Sequence, residues 1–231
     1  MPEDLPDPGA IDALVEARHG DPFALLGPHP APGGVAIRAF LPQSESVEVI
    51  AAETGLPVGR LARIHPAGFW TGIVRQLAPY RLRIAAGGEV VETEDPYAFP
   101  PVLGDLDVYL LGEGRHHDFA RAMGAHVTEI AGVRGVRFAV WAPNAQRVSV
   151  VGDFNAWDGR RHPMRLRHGA GVWELFIPRI GPGTIYKYEI RGPHGEILVK
   201  ADPVAWATEM PPATASVVYQ SDYTWADDEW L

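Results

Sequence analysis

The sequence predicts an all-β protein in which two β-sandwich domains follow a short N-terminal helix. Two observations support this prediction. The chain of 231 residues repeats itself, with Pro143 standing 101 residues after its counterpart Pro42. Each copy contains short stretches of alternating apolar and polar residues, separated by turn residues about every 8–12 positions, and this pattern is typical of a sandwich.

The strands of each copy are predicted from the same comparison. "AIRAF" and "VRFAVWA" both run up to a Pro, which stops a β-ladder. "SVEVI" and "RVSVV" alternate apolar and polar residues, as half-buried strands do. The matching stretches are "VAIRAFLPQSESVEVI" (35–50) with "VRFAVWAPNAQRVSVV" (136–151), "GFWTGIV" (68–74) with "GVWELFI" (171–177), and "YRLRI" (80–84) with "YKYEI" (186–190).

Helix is predicted only at the start. Ile11, Leu14, Val15 and Arg18 follow the i, i+3, i+4, i+7 spacing, and Asp7-Pro8 is a suitable cap and first turn, so we expect a helix over about 8–19 that stops at Gly20. Asp21-Pro22 opens one more helical turn. We place the two domains at 1–112 and 113–231, with "GEGRHHD" (112–118) as the link.

Large aromatic residues recur at matching positions in both copies. They form the pairs Phe40/Trp141, Trp70/Trp173 and Tyr80/Tyr186. An aromatic side chain on an alternating strand usually buries its large apolar area there. We therefore predict that all three pairs belong to the cores.

The loop "VGDFNAWDG" (151–159) belongs to the second copy alone, where Trp157 stands opposite Leu56 of the first copy. Two interpretations remain open: Trp157 covers the end of the sandwich, or it presents an aromatic face to a ligand. A flat aromatic flanked by Asp153 and Asn155 suits a sugar ring, whose hydroxyls these side chains would hydrogen-bond. Lys187 would add a charged donor, unless it is simply a solvated strand residue.

Composition excludes several classes of partner and cofactor. The net charge is −9 without any cluster of Lys or Arg, so binding to nucleic acid or to an anionic membrane is not expected. The chain has no Cys, no run of about 20 apolar residues and no opening signal, and we predict a cytoplasmic protein. Adjacent His116 and His117 do not converge on a metal, and we expect no metal and no cofactor.

The second copy resembles carbohydrate-binding module family 48 (CBM48) of the branching-enzyme and isoamylase group. The resemblance rests on "RFAVWAPNA", "VVGDFNAW", "GVWELFIP" and "YKYEI". With "DPFALLGPHP" and the stretch from "DPYAFPP" to "FARAMGAH", nearly the whole chain after about residue 10 is similar to the two N-terminal modules of bacterial 1,4-α-glucan branching enzymes, which are immunoglobulin-like β-sandwiches.

The resemblance implies an α-glucan ligand and a site. Trp157 and Lys187 match sugar-contacting positions of related glycogen-binding modules. Those modules also use a second Trp and an Asn, where this sequence has Ile197 and Ser216. These two departures predict weak binding or none by a single module.

The resemblance also implies a catalytic (β/α)8 barrel of about 250 residues after the two modules, which would act in glycogen biosynthesis. Its motifs are not found before the closing "DDEWL", so we expect the non-catalytic N-terminal part of a branching enzyme, inactive alone, that positions glucan and packs on the missing barrel. A free-standing glycogen-binding or regulatory protein is the alternative. A purely structural pair of sandwiches is a third interpretation.

Overall fold

A computed structural model describes residues 5–76 and 78–223, and most of its regular structure is β-strand. The closing "DDEWL", where we expected a barrel to begin, lies outside the described residues. The α-helices of the described ranges are α1 (Pro8–Val15), α2 (Asp105–Gly112) and α3 (Phe119–Ala122). The strands are β1 (Gly27–Ala31), β2 (Gly34–Phe40), β3 (Ser46–Ala51), β4 (Pro57–His65), β5 (Phe69–Val74), β6 (Tyr80–Ala86), β7 (Glu89–Thr93), β8 (Gly124–Ile130), β9 (Val133–Trp141), β10 (Arg147–Gly152), β11 (Arg165–Arg167), β12 (Val172–Pro178), β13 (Ile185–Arg191), β14 (Ile197–Lys200), β15 (Ala207–Thr208) and β16 (Ser216–Val217).

The seven strands of the first half form one antiparallel sheet in the order β1-β2-β5-β4-β3-β6-β7. Its alternating residues turn one face inward, and that face carries a compact apolar cluster that includes Ile37, Val49 and Trp70. Each of these three side chains is buried. The alternation predicted from "SVEVI" therefore does place Val47 and Val49 in a core.

The second half consists of two antiparallel sheets that pack face to face. One has the order β11-β12-β9-β8, and the other has the order β10-β13-β16-β15 with β14 also paired to β13. Phe138 of the first sheet meets Tyr186 of the second edge to face, with ring centroids 5.0 Å apart. The prediction of an all-β, sandwich-type fold is confirmed.

The repeat extends to one detailed packing motif. In the first half, buried Asp95 accepts a hydrogen bond of 2.7 Å from the Tyr80 hydroxyl. Its other carboxylate oxygen accepts a hydrogen bond from the Tyr97 amide. In the second half, buried Asp202 accepts a bond of 2.6 Å from the Tyr186 hydroxyl and caps the Val204 amide. Each Asp-Pro corner therefore ties the end of a hairpin back to its strand.

The two halves share a core and are joined by polar contacts. Helix α1 and Phe40 and Phe69 of the first half belong to the same apolar cluster as the interior of the second sandwich. Arg179 forms a two-pronged ion pair with Glu94, at 2.5 and 2.6 Å. These contacts fix one half against the other.

All three α-helices of the described ranges differ from expectation, because α1 is shorter than predicted and α2 and α3 were not predicted. Helix α1 begins at Pro8 behind the Asp7 cap, as predicted, but it ends at Val15. Ala17 has φ of 57°, and the Arg18 amide closes back on the Ala13 carbonyl, a terminal geometry that stops the helix before Gly20. Helix α2 was not predicted because its own apolar residues lie on all of its faces. The sequence therefore shows no helical period there.

Contacts of the segment before residue 112 bear on the domain division. The buried carboxylate of Glu174 on β12 accepts hydrogen bonds from the backbone amides of Val102 and Leu103. Leu103 also packs in a cluster with Ala139 of β9. The boundary after residue 112 stays a prediction, and these contacts favour a division before Val102.

The prediction that Trp141 is a core residue is wrong. Its side chain is 63% exposed at the end of β9, whereas its counterpart Phe40 and the pair Trp70 and Trp173 are buried. Trp141 pairs with Val172, and it lies on the β9 face opposite to Phe138 and the core. Tyr186 is buried as predicted, and Tyr80 is partly buried.

Candidate functional site

The turn that carries Trp157 begins where β10 ends. Residues Asp153–Asn155 form one 3-10 turn, and Ala156 and Trp157 then both take left-handed backbone angles, with φ of 56° and 58°. Left-handed residues other than Gly are uncommon, so the surrounding contacts must hold them. The Trp157 amide donates to the Gly152 carbonyl at 2.9 Å, which closes the turn.

The indole of Trp157 is fixed but accessible. Its Nε1 donates to a carboxylate oxygen of Asp153 at 2.8 Å, and Trp157 is 39% exposed. Asp153 itself is exposed. The pair therefore offers an oriented aromatic ring beside a carboxylate that retains accepting capacity.

Asn155 does not face solvent, which corrects its expected role. The side chain is only 1% exposed, its oxygen accepts from the Gly152 amide, and its nitrogen donates to the Val150 carbonyl and to His162 Nδ1. Both polar atoms are used inside the loop, so Asn155 cannot hydrogen-bond a sugar here. It acts instead as the support on which the Trp157 turn is built.

A buried ion pair holds the other end of this loop. Arg147 on β10 is 1% exposed, and it donates to Glu189 of β13 at 2.5 Å, to the Gly159 carbonyl at 2.7 Å and to Ser149. Gly159 packs so closely on Glu189 that a Cβ added there would lie 2.0 Å from a carboxylate oxygen. The loop is thus anchored to the sheet at both ends.

Lys187 lies on the strand next to the Trp157 turn. It pairs with Val151 on β10, and its Nζ donates to the Thr214 hydroxyl at 2.7 Å. An ammonium has three donors, so Lys187 retains capacity for a ligand. The fold therefore brings Trp157, Asp153 and Lys187 to one end of the β10–β13 pair.

Ile197 and Ser216, which stand where related glycogen-binding modules have a Trp and an Asn, differ in accessibility. Ile197 on β14 is 49% exposed and pairs with Arg191, so by alternation it lies on the same sheet face as Lys187. Ser216 is fully buried, and its hydroxyl accepts from the Asp202 amide at 2.8 Å. Ile197 is therefore open to a ligand, while Ser216 serves the Asp-Pro corner.

His162 has to be neutral to support the loop. Its Nδ1 faces the Asn155 amide nitrogen, which is a donor, so this ring nitrogen must accept. Burial and then the positive charge of Arg161 lower the pKa of His162 to about 4, although Asp158 acts in the opposite direction. In the unfolded chain the pKa of the His162 imidazole is near 6.5. Between about pH 6.5 and 4 the unfolded state therefore binds a proton that the folded state does not, and the free energy of unfolding falls.

We therefore predict that acid destabilises the protein through His162. Between pH 7 and 4.5 the wild-type protein is expected to lose up to about 2 kcal/mol more unfolding free energy than His162→Gln does. The contribution of His162 is complete above its pKa in the unfolded chain and is lost as the pH falls toward its pKa in the folded chain. Urea unfolding at both pH values measures this difference. Titration of Asp95, whose pKa burial raises to about 6, is common to both proteins and cancels. Equal pH dependence in the two proteins would disprove the prediction.

Other features do not add to the site. His116 Nε2 lies 2.9 Å from an Asp107 carboxylate oxygen, and the described residues contain no group of three or more potential ligands that could hold a metal. No helix within the described ranges is both long and apolar enough to cross a membrane. Sequence reasoning missed the exposed aromatic side chains of Trp141 and Trp206, because periodicity does not reveal which strand ends stay uncovered.

Two family models match the chain. Residues 7–97 match the N-terminal domain of alpha-1,4-glucan branching enzyme GlgB, and residues 122–205 match carbohydrate-binding module 48, the isoamylase N-terminal domain. Together they take in both halves of the repeat. The Trp157 turn and Lys187 lie within the second match.

The chain is also similar to curated proteins over its full length. The 1,4-alpha-glucan branching enzyme GlgB of Pseudomonas fluorescens is 56% identical over 100% of this chain and 31% of that one. GlgB 1 of Xanthomonas euvesicatoria pv. vesicatoria is 55% identical over 97% of this chain and 31% of that one. The chain thus spans about a third of the length of these relatives. A solved pullulanase type I from Bacillus subtilis complexed with maltose is 16% identical, with a TM-score of 0.38 over 83% of this chain and 26% of that one.

Proposed function

This chain belongs to the family of the 1,4-alpha-glucan branching enzymes GlgB, and from this premise we propose that it binds and positions α-glucan without catalysing branching. It is homologous over its whole length to the N-terminal part of these enzymes. The observation that carries the proposal is the Trp157 turn. An aromatic ring held by Asp153 and left accessible on a carbohydrate-binding module suits a glucose ring.

In the proposed complex, Trp157 packs on the C–H face of one glucose residue. Asp153 accepts hydrogen bonds from hydroxyl groups with its remaining lone pairs, and Lys187 donates a charged one. Asn155 takes no direct part and keeps the turn rigid. One stacked ring with a few exposed hydrogen bonds supports about millimolar affinity, near −4 kcal/mol, and a polymer with many chain ends raises it by avidity.

We assign the branching chemistry to the two thirds of the GlgB relatives that this chain does not match. Transfer of a glucan segment with retention of configuration at the sugar carbon that is attacked needs two carboxyl groups about 5–5.5 Å apart. One of them acts as the nucleophile. In this proposal the chain packs on that catalytic part. Its exposed large apolar side chains, among them Trp141, Leu106 and Tyr109, are suitable for such packing, since exposed apolar groups often mark interaction surfaces.

A gain-of-function substitution tests the sugar site. Ile197→Trp adds a second aromatic ring on the sheet face that carries Lys187, and it is expected to strengthen glycogen binding about tenfold, which corresponds to about 1.4 kcal/mol. Affinity electrophoresis in gels that contain glycogen measures the change. Leu198→Trp is the matched control, because Leu198 is similarly exposed and points to the opposite face. Equal retardation of both variants would count against the site.

A further inference from the structure

A cavity of about 480 Å³ lies between the two halves of the chain. On the first half it is bounded by the loop after β2 and by one face of the β6–β7 hairpin, where Ile84 stands opposite Val91. On the second half it is bounded by Phe154, Arg161 and the end of β12. Its size is within the range of about 300–1,000 Å³ found for small-ligand sites, and a junction between domains is a common place for them.

The walls of this cavity are mostly apolar. The hairpin contributes Leu82, Ile84 and Val91, and the second half contributes Ile177 and Pro178. The Phe40 and Phe154 rings add aromatic surface. Such walls favour a ligand with an apolar or aromatic body and disfavour a ligand that is polar throughout.

One cation on the wall has spare hydrogen-bonding capacity. Arg179 is held by two hydrogen bonds to Glu94, whereas the structure gives the Arg161 side chain one long hydrogen bond, 3.4 Å from Nη2 to the Pro42 carbonyl. Its Nε has no hydrogen-bond partner among the described residues. Asp158 is 3.9 Å from that Nε, and Asp158 is already bound by Arg160 at 2.7 Å. A guanidinium carries five donors, so most of those of Arg161 are unused.

We propose that this cavity binds a small organic anion whose apolar body occupies the walls and whose carboxylate or sulfonate pairs with Arg161. The site is separate from the Trp157 face. Its occupant would contact Phe154, which lies between Asp153 and Asn155, and His162, which is hydrogen-bonded to Asn155. A ligand in the cavity therefore packs against the inner side of the loop that presents Trp157.

The test is a fluorescence titration of the whole chain with 1-anilinonaphthalene-8-sulfonate, a dye with an aromatic body and one sulfonate. We expect saturable binding at one site. Arg161→Gln should weaken it about tenfold or more, as expected for loss of a charge-assisted hydrogen bond. Val91→Trp should abolish it by filling the cavity from an exposed edge strand, where the folding cost is small.

Two matched variants complete the design. Val90→Trp places the same ring on the neighbouring residue of β7, which is also exposed and points away from the cavity, and it should leave the dye affinity unchanged. Trp157→Ala should leave it unchanged as well, so a failure of the sugar site does not affect this result. Thermal unfolding confirms that each variant is folded.

Three results would overturn the proposal. The first is the absence of saturable dye binding to the folded wild-type chain. The second is equal binding by the Val91→Trp and Val90→Trp variants, which would place the dye elsewhere. The third is an unchanged dissociation constant in Arg161→Gln, which would remove the anion from the assignment even if Val91→Trp excludes the dye.

Discussion

Replacing Trp157 with alanine is expected to abolish the retention of the chain on glycogen in a co-sedimentation assay. Stacking on one aromatic ring contributes about 1–3 kcal/mol per base in single-stranded nucleic acids, and a loss of the same size here weakens binding roughly 5- to 150-fold. Starting from about millimolar affinity, the variant would not be retained. The ring is the largest contact in the proposed complex, so we expect no other substitution at this site to have a larger effect.

The control for this experiment is Trp206→Ala. Trp206 is also in the second half and is 59% exposed, against 39% for Trp157, so its loss removes an equally large ring without touching the turn. Trp206→Ala should sediment with glycogen like the wild-type chain. If Trp157→Ala is folded by circular dichroism and is still pulled down normally, Trp157 is not the sugar contact and the proposed site is wrong.

Replacing Arg147 with alanine is expected to produce the largest loss of stability, about 3–5 kcal/mol of unfolding free energy. The substitution leaves the mostly buried carboxylate of Glu189 and the Gly159 carbonyl without their partner, and breaking a buried pair from one side has costs of this order. Urea unfolding followed by tryptophan fluorescence measures it. Glycogen binding should weaken as well, because Gly159 ends the loop that carries Trp157.

Arg121→Ala is the comparison for Arg147. Arg121 pairs with Asp118 at 3.5 Å, and their side chains are 84% and 59% exposed. An exposed pair of this kind contributes at most about 1 kcal/mol. A shift in the unfolding midpoint that is the same for both variants would mean that burial of Arg147 has no special energetic role.

The strands were the part of the fold most open to prediction from the sequence. Alternation in "RVSVV" and "YKYEI" depends on neighbouring residues alone. The strands, their two-residue period and the residues on their inward faces could therefore be predicted from it. Helix α2 could not be predicted in this way, since it packs Val108 and Leu111 on the second sandwich and leaves Leu106 and Tyr109 exposed. Its helical pattern is hidden because both faces are apolar.

The candidate site was predictable in part. Comparison of the two copies isolated the loop of Trp157, and the structure places Asp153 at its indole and Lys187 on the adjoining strand. Asn155 is the exception. A polar residue in a polar loop is expected to face solvent, and only the closure of the turn on Val150 and His162 buries it.

The sequence by itself determined the repeat, the alternating strands and the loop that sets the second copy apart, because each can be read from the order of residues along the chain without knowing which segments pack together. Tertiary structure decided which faces were covered: it left Trp141 exposed, buried Asn155 and created the cavity between the halves. The physical reason is that burial depends on what packs against a residue: segments far apart in the chain form the cavity, and Asn155 is buried only when its turn closes on Val150 and His162.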